Sequence, residues 1–412
     1  MIVDVITEQR FSATPDGTVW TSAQSPYTFW ERYLEVFEGV QVIARVCPVD
    51  EVPRTYVKAS GHRVTFAPIP HYQGAWQFAR RGFKVRKAVC NAVGHDHAVI
   101  LRVASTLANM VYPRLRREGK PYAVEVVGDP WDVFAPGVVQ HPLRPMLRWW
   151  FTRNLRMQSA DACAASYVTQ QALQRRYPAN ARAIRASYTS SRGIRDRMIG
   201  ISDVEILNTC AEPGHAGGTL PPTRLLLVGS LEQLYKAPDT TISAVAKCLS
   251  EGCDLQLVIV GGGKFQSRLE EQARTLGIED RVTFRGQLNS EQVREELKEA
   301  HLFVLASRTE GLPRAMIEAM AEGLPCIGST VGGIPELLAP EDLVPPGDVE
   351  ALAAKIREVA ADAPRRYRMS ERNLEKSREF HESVLRERRL IFYRGIYEET
   401  ASWLANRYRA AS

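Results

Sequence analysis

The chain has 412 residues, of which 45% are hydrophobic and 24% are charged, and its formal net charge is +6. This composition is typical of globular proteins and excludes disordered and fibrous classes. The length suits two to three domains of ordinary size. Residues 1–200 carry 27 basic and 15 acidic side chains, so residues 201–412 hold an acidic excess. The step in charge predicts two units that face different partners.

Short apolar runs rich in β-branched residues alternate with stretches of helical period along the chain. Five strands are predicted in the first half, at 2–7, 41–46, 63–68, 98–103 and 123–127. Five more are predicted in the second half, at 224–228, 255–260, 281–284, 302–305 and 325–328. Helical stretches between them give the pattern of βαβ units in parallel sheets. Each half is therefore predicted to form a doubly wound α/β domain.

A segment dense in turn residues separates the two halves. Six proline and glycine residues lie between Asn208 and Thr223, which fits an interdomain linker. From about Pro364 the sequence is polar and helical. We expect a first domain at 1–196, a linker at 197–222, a second domain at 223–386 and a final helix at 387–412 that packs back on the first domain.

The sequence favours a cytoplasmic location. No run approaches the roughly 18 apolar residues that a membrane-spanning helix needs. The segment from Met1 to Glu8 has acidic residues where a signal peptide needs basic and then apolar ones. The seven cysteines show neither Cys-x-x-Cys nor zinc spacing, so we expect reduced, buried thiols.

Glycine turns in the second half fail as nucleotide fingerprints. After Gly261-Gly262-Gly263-Lys264, a Walker A motif needs serine or threonine, and Phe265 stands there. A dinucleotide fingerprint needs a small residue where Gln266 stands. A tight turn between strand and helix is the predicted structure. No Asp-x-Asp occurs, and His95-Asp96-His97 lacks further zinc ligands, so no metal is expected.

The most informative segment is Phe303–Pro325, which is predicted to be strand, loop, helix and the start of a strand. Pro313 suits a first helical turn because its missing N–H costs nothing there. The residues before it would present free N–H groups to an anion such as a diphosphate. Glu310 and Glu318 would suit hydrogen bonds from neutral sugar hydroxyls. On the pattern alone, both could equally be solvated helix charges.

This segment resembles the signature of family 4 glycosyltransferases of the GT-B fold, in which two glutamates with seven residues between them flank a Gly-Leu-Pro helix start. The similarity continues upstream in Leu227–Leu231 and Lys236–Asp239, and downstream in Val331–Glu336. It covers about 224–348 well and the first half only loosely. The resemblance implies two Rossmann-like domains that face each other across a cleft.

The resemblance also implies roles for individual residues of the second domain. Glu318 would bind the ribose hydroxyls of a nucleotide, and Glu310 would contact the donor sugar near the reacting carbon. Gly311 and Leu312 would offer backbone amides, and Lys236 would neutralise the diphosphate as the leaving group gains charge. Gly229 and Pro313 belong to the same implied donor site.

One position departs from the family pattern. Many relatives have an arginine beside Gly229, and this chain has Ser230 there. Arg285 or Arg314 is a candidate to supply the missing phosphate contact. A solvated surface charge is the alternative for each of them.

In the first half, the resemblance implies two further site residues. Gly17 would belong to a glycine loop after the first strand, where the backbone approaches the donor phosphate because glycine has no Cβ; a simple Asp-Gly turn is the alternative. Relatives often have a histidine after the strand at 123–127. This chain has Asp129 near that place, which is our replacement candidate for a catalytic role.

The family resemblance implies a retaining hexosyltransferase that needs no cofactor or metal. The donor would be a nucleotide sugar, first a UDP-sugar and next a GDP-sugar, and the acceptor a hydroxyl of a glycan, a lipid-linked or a small molecule, as in bacterial polysaccharide or glycoconjugate synthesis. Alternatives are an epimerase or phosphorylase of the same fold, or a non-catalytic nucleotide-sugar-binding protein.

The basic first half predicts an acidic acceptor or an anionic membrane surface. Basic residues cluster at 80–87, and arginines mix with tryptophans at 143–156 as in interfacial segments. A buried packing helix is the alternative for 143–156. No recognition motif for nucleic acid is found, so we expect peripheral binding on the cytosolic side of a membrane and no nucleic acid. The oligomeric state is open.

Overall fold

A computed structural model describes residues 1–22, 25–72, 74–135, 141–179, 198–200, 206 and 223–411. It contains two sheets, one in each half of the chain. Of the predicted linker at 197–222, only Met198–Gly200 and Ile206 are described. The remainder of that prediction lies outside the described residues.

The first sheet is mainly parallel, in the order β5-β3-β1-β6-β7-β8-β9, with β2 antiparallel to β1 and β4 antiparallel to β2. Its strands are β1 (Ile2–Ala13), β2 (Val19–Thr21), β3 (Gly39–Pro48), β4 (Val57–Lys58), β5 (Val64–Ile69), β6 (Ala98–Val103), β7 (Ala123–Val126), β8 (Ala164–Tyr167) and β9 (Met198–Gly200). The helices described here are α1 (Tyr27–Glu31), α2 (Gly74–Ala92), α3 (Thr106–Glu118), α4 (Pro130–Val133), α5 (Arg144–Asp161) and α6 (Ala172–Arg176).

The second sheet is parallel throughout, in the order β12-β11-β10-β13-β14-β15. Its strands are β10 (Thr223–Val228), β11 (Leu255–Val260), β12 (Val282–Gly286), β13 (Leu302–Leu305), β14 (Cys326–Ser329) and β15 (Leu343–Val344). The helices that follow are α7 (Pro238–Ser250), α8 (Gln266–Thr275), α9 (Ser290–Glu299), α10 (Arg314–Ala321), α11 (Ile334–Leu337), α12 (Val349–Ala361), α13 (Ala363–Ser377) and α14 (Glu382–Ala411).

All ten predicted strands occur, and three of them have the predicted bounds, at 98–103, 255–260 and 302–305. Strands such as β11 are apolar runs because helices cover both faces of a parallel sheet, so residues that point either way are buried. Some helices begin where a side chain accepts from a free N–H group. For example, Ser105 accepts from the Ala108 N–H at the start of α3, and Asn289 forms a capping box with Gln292 at the start of α9.

The first strand is longer than predicted, and Gly17 lies in the turn that follows it. β1 pairs with β3 over its whole length, with a register shift between Ile6 and Arg10. It then turns back into β2 through a tight loop in which the Gly17 N–H donates to the Thr14 carbonyl. Gly17 has φ +81° and no atom within 4 Å of a Cβ built on it. It therefore sits in an Asp-Gly hairpin turn after the first strand, and its approach to a donor phosphate stays a prediction.

Each sheet buries apolar side chains on both faces. On one face of the first sheet, α2, α3 and α5 pack together in a core that includes Val89, Leu115 and Leu155. The opposite face packs against α1 and α14. In the second sheet the two cores lie on either side of β10, where Leu225 and Leu226 point to opposite faces. This layering brings the loops at the carboxyl ends of the strands to one edge of each sheet.

The last helix, α14, packs against the first domain although it follows the second. The Tyr393 ring stacks on Tyr33 at 4.6 Å between centroids, and Phe392, Tyr393 and Ile396 are buried in the first domain's core. The chain thus crosses between the domains twice. Ile206, which belongs to the second domain's core, pairs with His381 directly before α14 begins. The two crossings therefore lie side by side.

None of the helices in the described part of the chain combines the length and the apolar character needed to cross a membrane.

Candidate active site

A buried ion pair lies where the second sheet reverses its strand order. After β10 the chain proceeds outward to β11 and β12 and then returns to β13 beside β10. Loops at such a switch point diverge and leave a crevice at the carboxyl ends of the strands, which is where α/β sheets bind ligands. Lys236 follows β10 and Glu310 follows β13, and Lys236 Nζ lies 2.7 Å from Glu310 Oε2. Their side chains are only 12% and 10% exposed.

Arg308 holds the turn that carries Lys236. Its guanidinium donates to the Leu234 carbonyl (2.6 Å) and to both carboxylate oxygens of Asp239 (2.9 and 2.8 Å). The backbone N–H of Arg308 donates to the Tyr235 carbonyl. A planar guanidinium suits such a two-point contact with a carboxylate. Ala237 directly after Lys236 has φ +55°, an uncommon conformation for a residue with Cβ. The position of Lys236 is therefore fixed from several sides.

Two glycines of the loop after β14 allow the Glu310 loop to lie close to it. A Cβ on Gly332 would be 1.9 Å from the Glu310 carbonyl oxygen, and one on Gly333 would be 2.7 Å from that of Gly311. The Gly333 N–H donates to the Gly311 carbonyl at 2.6 Å. The Ser307 hydroxyl lies 3.2 Å from Glu310 Oε2. These contacts orient the carboxylate toward Lys236.

The glycines after β11 serve packing of the backbone and not a nucleotide fingerprint, as the sequence predicted. A Cβ on Gly261 would lie 2.0 Å from the Gly229 carbonyl oxygen, and one on Gly263 would lie 2.2 Å from the Glu232 nitrogen. Gly229 also leaves room for Lys236, because a Cβ built on Gly229 would lie 3.0 Å from the Lys236 Cγ. The loop after β10 is thus built around the Lys236 side chain.

Helix α10 begins one residue later than predicted. Pro313 is the residue before the helix, with φ −75° and ψ 109°, and no side chain caps the helix. The first N–H groups of α10 therefore have no side-chain acceptor, as an anion site requires. Gly311 and Leu312 are half-buried before it, and Arg314 is exposed in the first turn.

Glu318 lies one turn after Arg314 on α10. Burial raises the pKa of its carboxyl, and the nearby guanidinium groups of Arg314 and Arg294 oppose that rise. Among the described residues, its carboxylate accepts no side-chain hydrogen bond, in contrast to Glu310. A ligand with hydroxyl groups would satisfy such a carboxylate.

In the part of the chain that the structure describes, Lys236 pairs with Glu310 and forms no hydrogen bond or ion pair with Arg285 or Arg314. Arg285 donates to Glu296 at 2.5 Å, and Glu296 also accepts from Arg224, so Arg285 belongs to an ion-pair cluster. Ser230 is exposed, and its hydroxyl accepts from the Glu232 N–H at 3.3 Å. Phosphate contacts by Arg285, Arg314 and Ser230 stay predictions.

Asp129 has extensive local contacts in the first domain. It caps α4 by accepting from the Trp131 N–H at 2.9 Å, it accepts from the Tyr177 hydroxyl at 2.5 Å, and it forms an ion pair with Arg176. Its residue is 7% exposed. These bonds explain why a carboxylate stands there, and the catalytic role of Asp129 stays a prediction.

The loops of the two domains meet close to Glu310. A Cβ on Gly311 would lie 4.0 Å from the Val127 carbonyl oxygen at the end of β7. Glu336, just after the Gly332-Gly333 turn, accepts from the N–H groups of Gln170 (2.6 Å), Gln171 (3.0 Å) and Ala172 (2.6 Å) in the first domain. Glu336 thus links the loop after β14 to the end of β8.

The sequence analysis missed Arg308 and Glu336. Arg308 lies two residues before Glu310, but nothing in the sequence indicates that it contacts Asp239, 69 positions away. Glu336 belongs to a motif that the sequence analysis noted, and its partners are backbone N–H groups, which leave no signature in side-chain patterns.

Comparisons with known proteins agree with this geometry. Residues 220–376 match the family described as Glycosyl transferases group 1. Protein CapJ of Staphylococcus aureus is 26% identical over 332 residues, which cover 80% of this chain and 79% of CapJ. A GDP-mannose-dependent monoacylated alpha-(1-6)-phosphatidylinositol monomannoside mannosyltransferase of Corynebacterium glutamicum is 33% identical over 143 residues, which cover 32% of this chain and 37% of that protein.

Among solved structures, HepE of Anabaena in complex with UDP-glucose aligns with a TM-score of 0.60 at 16% identity, covering 98% of this chain and all of HepE. At that identity the likeness concerns the fold. The predicted GT-B fold, with two Rossmann-like domains, is thereby confirmed. Within it, residues 220–376 resemble the group 1 glycosyltransferases, and similar proteins include glycosyltransferases.

Proposed function

We propose that this protein is a retaining, metal-independent glycosyltransferase of family 4 that transfers a sugar from a nucleotide sugar to an acceptor hydroxyl. The observation that carries the proposal is the buried Lys236–Glu310 pair at the switch point of the second sheet. It offers one cation and one carboxylate side by side, as a donor with a negative diphosphate and a neutral sugar requires.

Lys236, Glu310 and Glu318 each bind a different part of the donor. Lys236 faces the diphosphate and stabilises the charge that develops on the leaving group. Glu310 accepts hydrogen bonds from the transferred sugar, and Glu318 accepts them from the ribose. The uncapped N-terminus of α10, with the amides of Gly311 and Leu312 before it, adds N–H groups for phosphate oxygens.

The reaction we propose is a front-face substitution. The bond between the anomeric carbon and the phosphate oxygen breaks, and the acceptor oxygen bonds to that carbon from the same side. The acceptor proton passes to the leaving phosphate, so no separate base is required. The Glu310 carboxylate is paired with a lysine and not with a second carboxyl, which does not suit the double-carboxylate scheme of glycosidases.

The donor we expect first is a UDP-sugar and next a GDP-sugar. Both nucleotides occur among similar proteins, since HepE was solved with UDP-glucose and the Corynebacterium enzyme is GDP-mannose-dependent. We propose a glycan or lipid-linked acceptor, as in polysaccharide or glycolipid synthesis. Positive charge from Lys236 is available to the leaving diphosphate, so the proposal includes no metal.

A basic face on the first domain supports binding of the protein to an anionic membrane surface. Helices α2, α3 and α5 pack side by side on one face of the first sheet. Helix α2 contains no acidic residue, and α5 contains only Asp161, its last. Trp149 on α5 is 59% exposed, which disfavours the alternative that 143–156 is an entirely buried helix, and Phe83 on α2 is 83% exposed. Arginine with exposed indole is typical of interfacial binding.

The transfer reaction can be tested without knowing the acceptor. Incubation with UDP-glucose, UDP-galactose, UDP-N-acetylglucosamine or GDP-mannose should release nucleoside diphosphate slowly, with water replacing the acceptor. Glu310→Gln should reduce this release by about 10²–10³-fold, the usual effect of losing one transition-state contact. Glu271→Gln, at an exposed ion pair on α8, is the matched control and should keep full activity.

Two results would contradict the proposal. Release from none of these donors, together with binding of one of them, would indicate a non-catalytic binding protein. Interconversion of two donor sugars without release would indicate an epimerase.

The membrane component has its own test. Sedimentation with vesicles that contain phosphatidylglycerol should recover the protein at low salt and lose it at high salt. Lys84→Glu/Lys87→Glu should abolish this binding, while Arg394→Glu/Arg407→Glu on α14, at the opposite face of the sheet, should not. Absence of binding by the unmodified protein at low salt would refute membrane association.

A further inference from the structure

The first domain contains a cavity of about 520 Å³ at the carboxyl edge of its sheet. This volume lies in the range of small-molecule sites. Most of its lining is polar, including Arg10, Ser12, Arg45, Tyr56 and His71.

The register shift in β1 shapes this cavity. After the shift, residues 10–13 of β1 and 45–48 of β3 continue beyond the point where β6 stops pairing with β1. The extended strands and the hairpin strand β2 form a wall above the sheet edge. The cavity thus lies at the first domain's own switch point, between the strands that proceed to β3 and those that proceed to β6.

Glu8 is the one carboxylate among the described residues that line the cavity, and it already has several partners. Glu8 accepts from the Tyr72 hydroxyl at 2.7 Å and from the N–H groups of Thr106 (2.9 Å) and Leu107 (3.2 Å) at the start of α3. It also forms an ion pair with Arg45 at 3.2 Å. Its negative charge is therefore balanced by the helix N-terminus and by one arginine.

Arg45 is paired with Glu8, but further positive charge around the cavity has no such partner among the described residues. Arg10 is exposed at its wall, and no described residue forms an ion pair with it. Arg81 donates to the His71 carbonyl at 2.7 Å, so a third guanidinium lies beside the lining. Burial lowers the pKa of His71, and the charges of Arg45, Arg10 and Arg81 lower it further. An anion in the cavity would relieve this repulsion.

We propose that this cavity binds a phosphate or diphosphate group of the acceptor, with Arg10, Arg45 and His71 as its ligands. The inference rests on the proposed function for its meaning as an acceptor site. The binding of the anion itself does not depend on transfer activity.

The distance between the cavity and the proposed donor site suits an acceptor that spans both. It spans the ends of β1 and β3, and the Glu310 loop meets the end of β7. β7 is two strands from β1 and three from β3 in the sheet. At a strand spacing of about 4.8 Å, the separation is roughly 10–15 Å. The acceptor would therefore place its anionic group at least one sugar unit away from the reacting hydroxyl.

Histidine NMR tests the site directly. The chain has eight histidines, so a protein labelled with ¹³C at histidine gives few signals, and His71→Gln assigns the one of interest. Millimolar inorganic pyrophosphate should shift the His71 signal in a saturable way. Arg10→Gln should weaken this response about tenfold to a hundredfold. Arg117→Gln, an exposed arginine at the far end of α3, should leave it unchanged.

The source of the phosphate group is distinguished by a second probe. Farnesyl diphosphate in detergent micelles should bind more tightly than pyrophosphate if the acceptor is lipid-linked, and equally if the anionic end is free. Either result supports the anion site. An unmoved His71 signal with both probes would overturn the inference.

Failure of this inference and failure of the proposed function can be told apart. If nucleoside diphosphate is released from a donor and His71 does not respond, the anion site is wrong and the transfer function stands. If His71 responds and no donor is turned over, the site stands and the transfer function is wrong.

Discussion

Glu310 and Lys236 come from loops that are separated by more than seventy residues, and each depends on the other for burial. A nearly buried charge is costly unless it is paired, so loss of either partner leaves the other uncompensated. The sequence motif predicted both residues because family spacing fixes their positions. It gave no information on Arg308, whose contacts hold Lys236 in place.

We predict that the ionised Glu318 carboxylate lowers the stability of the fold while it serves donor binding. Because burial raises the pKa of its carboxyl above the usual 4.5, its ionised form destabilises the fold at neutral pH. The relative stabilisation is present below the unfolded pKa and is lost as the pH rises through the folded value. Glu318→Gln should therefore melt at a higher temperature than the unmodified protein at pH 7, and the difference should vanish below pH 4.5.

The same substitution should weaken donor binding about tenfold to a hundredfold, since hydrogen bonds to a charged carboxylate are lost. Thermal melts over pH 4–8 and nucleotide titrations measure the two effects. A variant that binds nucleotide normally would contradict the ribose role, whatever its stability. Glu322→Gln, in the turn after α10, is the control for a nearby carboxylate.

At the scale of elements, the close contact between the loops after β13 and β14 depends on missing side chains. Gly332→Ala introduces a Cβ that would lie 1.9 Å from the Glu310 carbonyl oxygen, at φ +55°. We expect the Glu310 loop to move and turnover to fall at least tenfold. Gly347→Ala, also at positive φ but with no atom within 4 Å, is the matched control for backbone strain alone. Equal activity of the two variants would show that the contact does not position Glu310.

The elements that the sequence failed to predict share a physical reason. β8 reads Ala-Ala-Ser-Tyr and β15 has two residues, so neither provides a β-branched run although each is held by its neighbours. The extension of β1 beyond Thr7 contains polar residues, so no apolar run indicated it. Strands with strong apolar runs, such as β11, were predicted with their bounds.

For the whole molecule, the contact between Glu336 and the first domain predicts control of the cleft. Three N–H groups of the β8–α6 segment converge on this carboxylate. Glu336→Gln should weaken the contact because a neutral amide accepts weaker hydrogen bonds. Small-angle X-ray scattering should then give a larger radius of gyration than that of the unmodified protein. Glu341→Gln, at an exposed pair within the second domain, should not change it.

The basic first half and the acidic second half of the sequence correspond to different surfaces of the two domains. In the first domain, basic residues lie on the face of α2, α3 and α5 and around the cavity at the sheet edge. The second domain is acidic overall, yet it presents Lys236 and the N-terminus of α10 at the crevice. Local donors, and not net charge, therefore define where a diphosphate would bind.

The central claim is that the crevice at Lys236 and Glu310 binds a nucleoside diphosphate. Isothermal titration with UDP, and with GDP in parallel, tests it without any acceptor or turnover. We predict saturable binding of one nucleotide and a loss of at least tenfold in affinity for Lys236→Met, while Lys298→Met, at an exposed pair on α9, binds as the unmodified protein does. Binding that is equally strong in Lys236→Met, or absent for both nucleotides, would contradict the assignment.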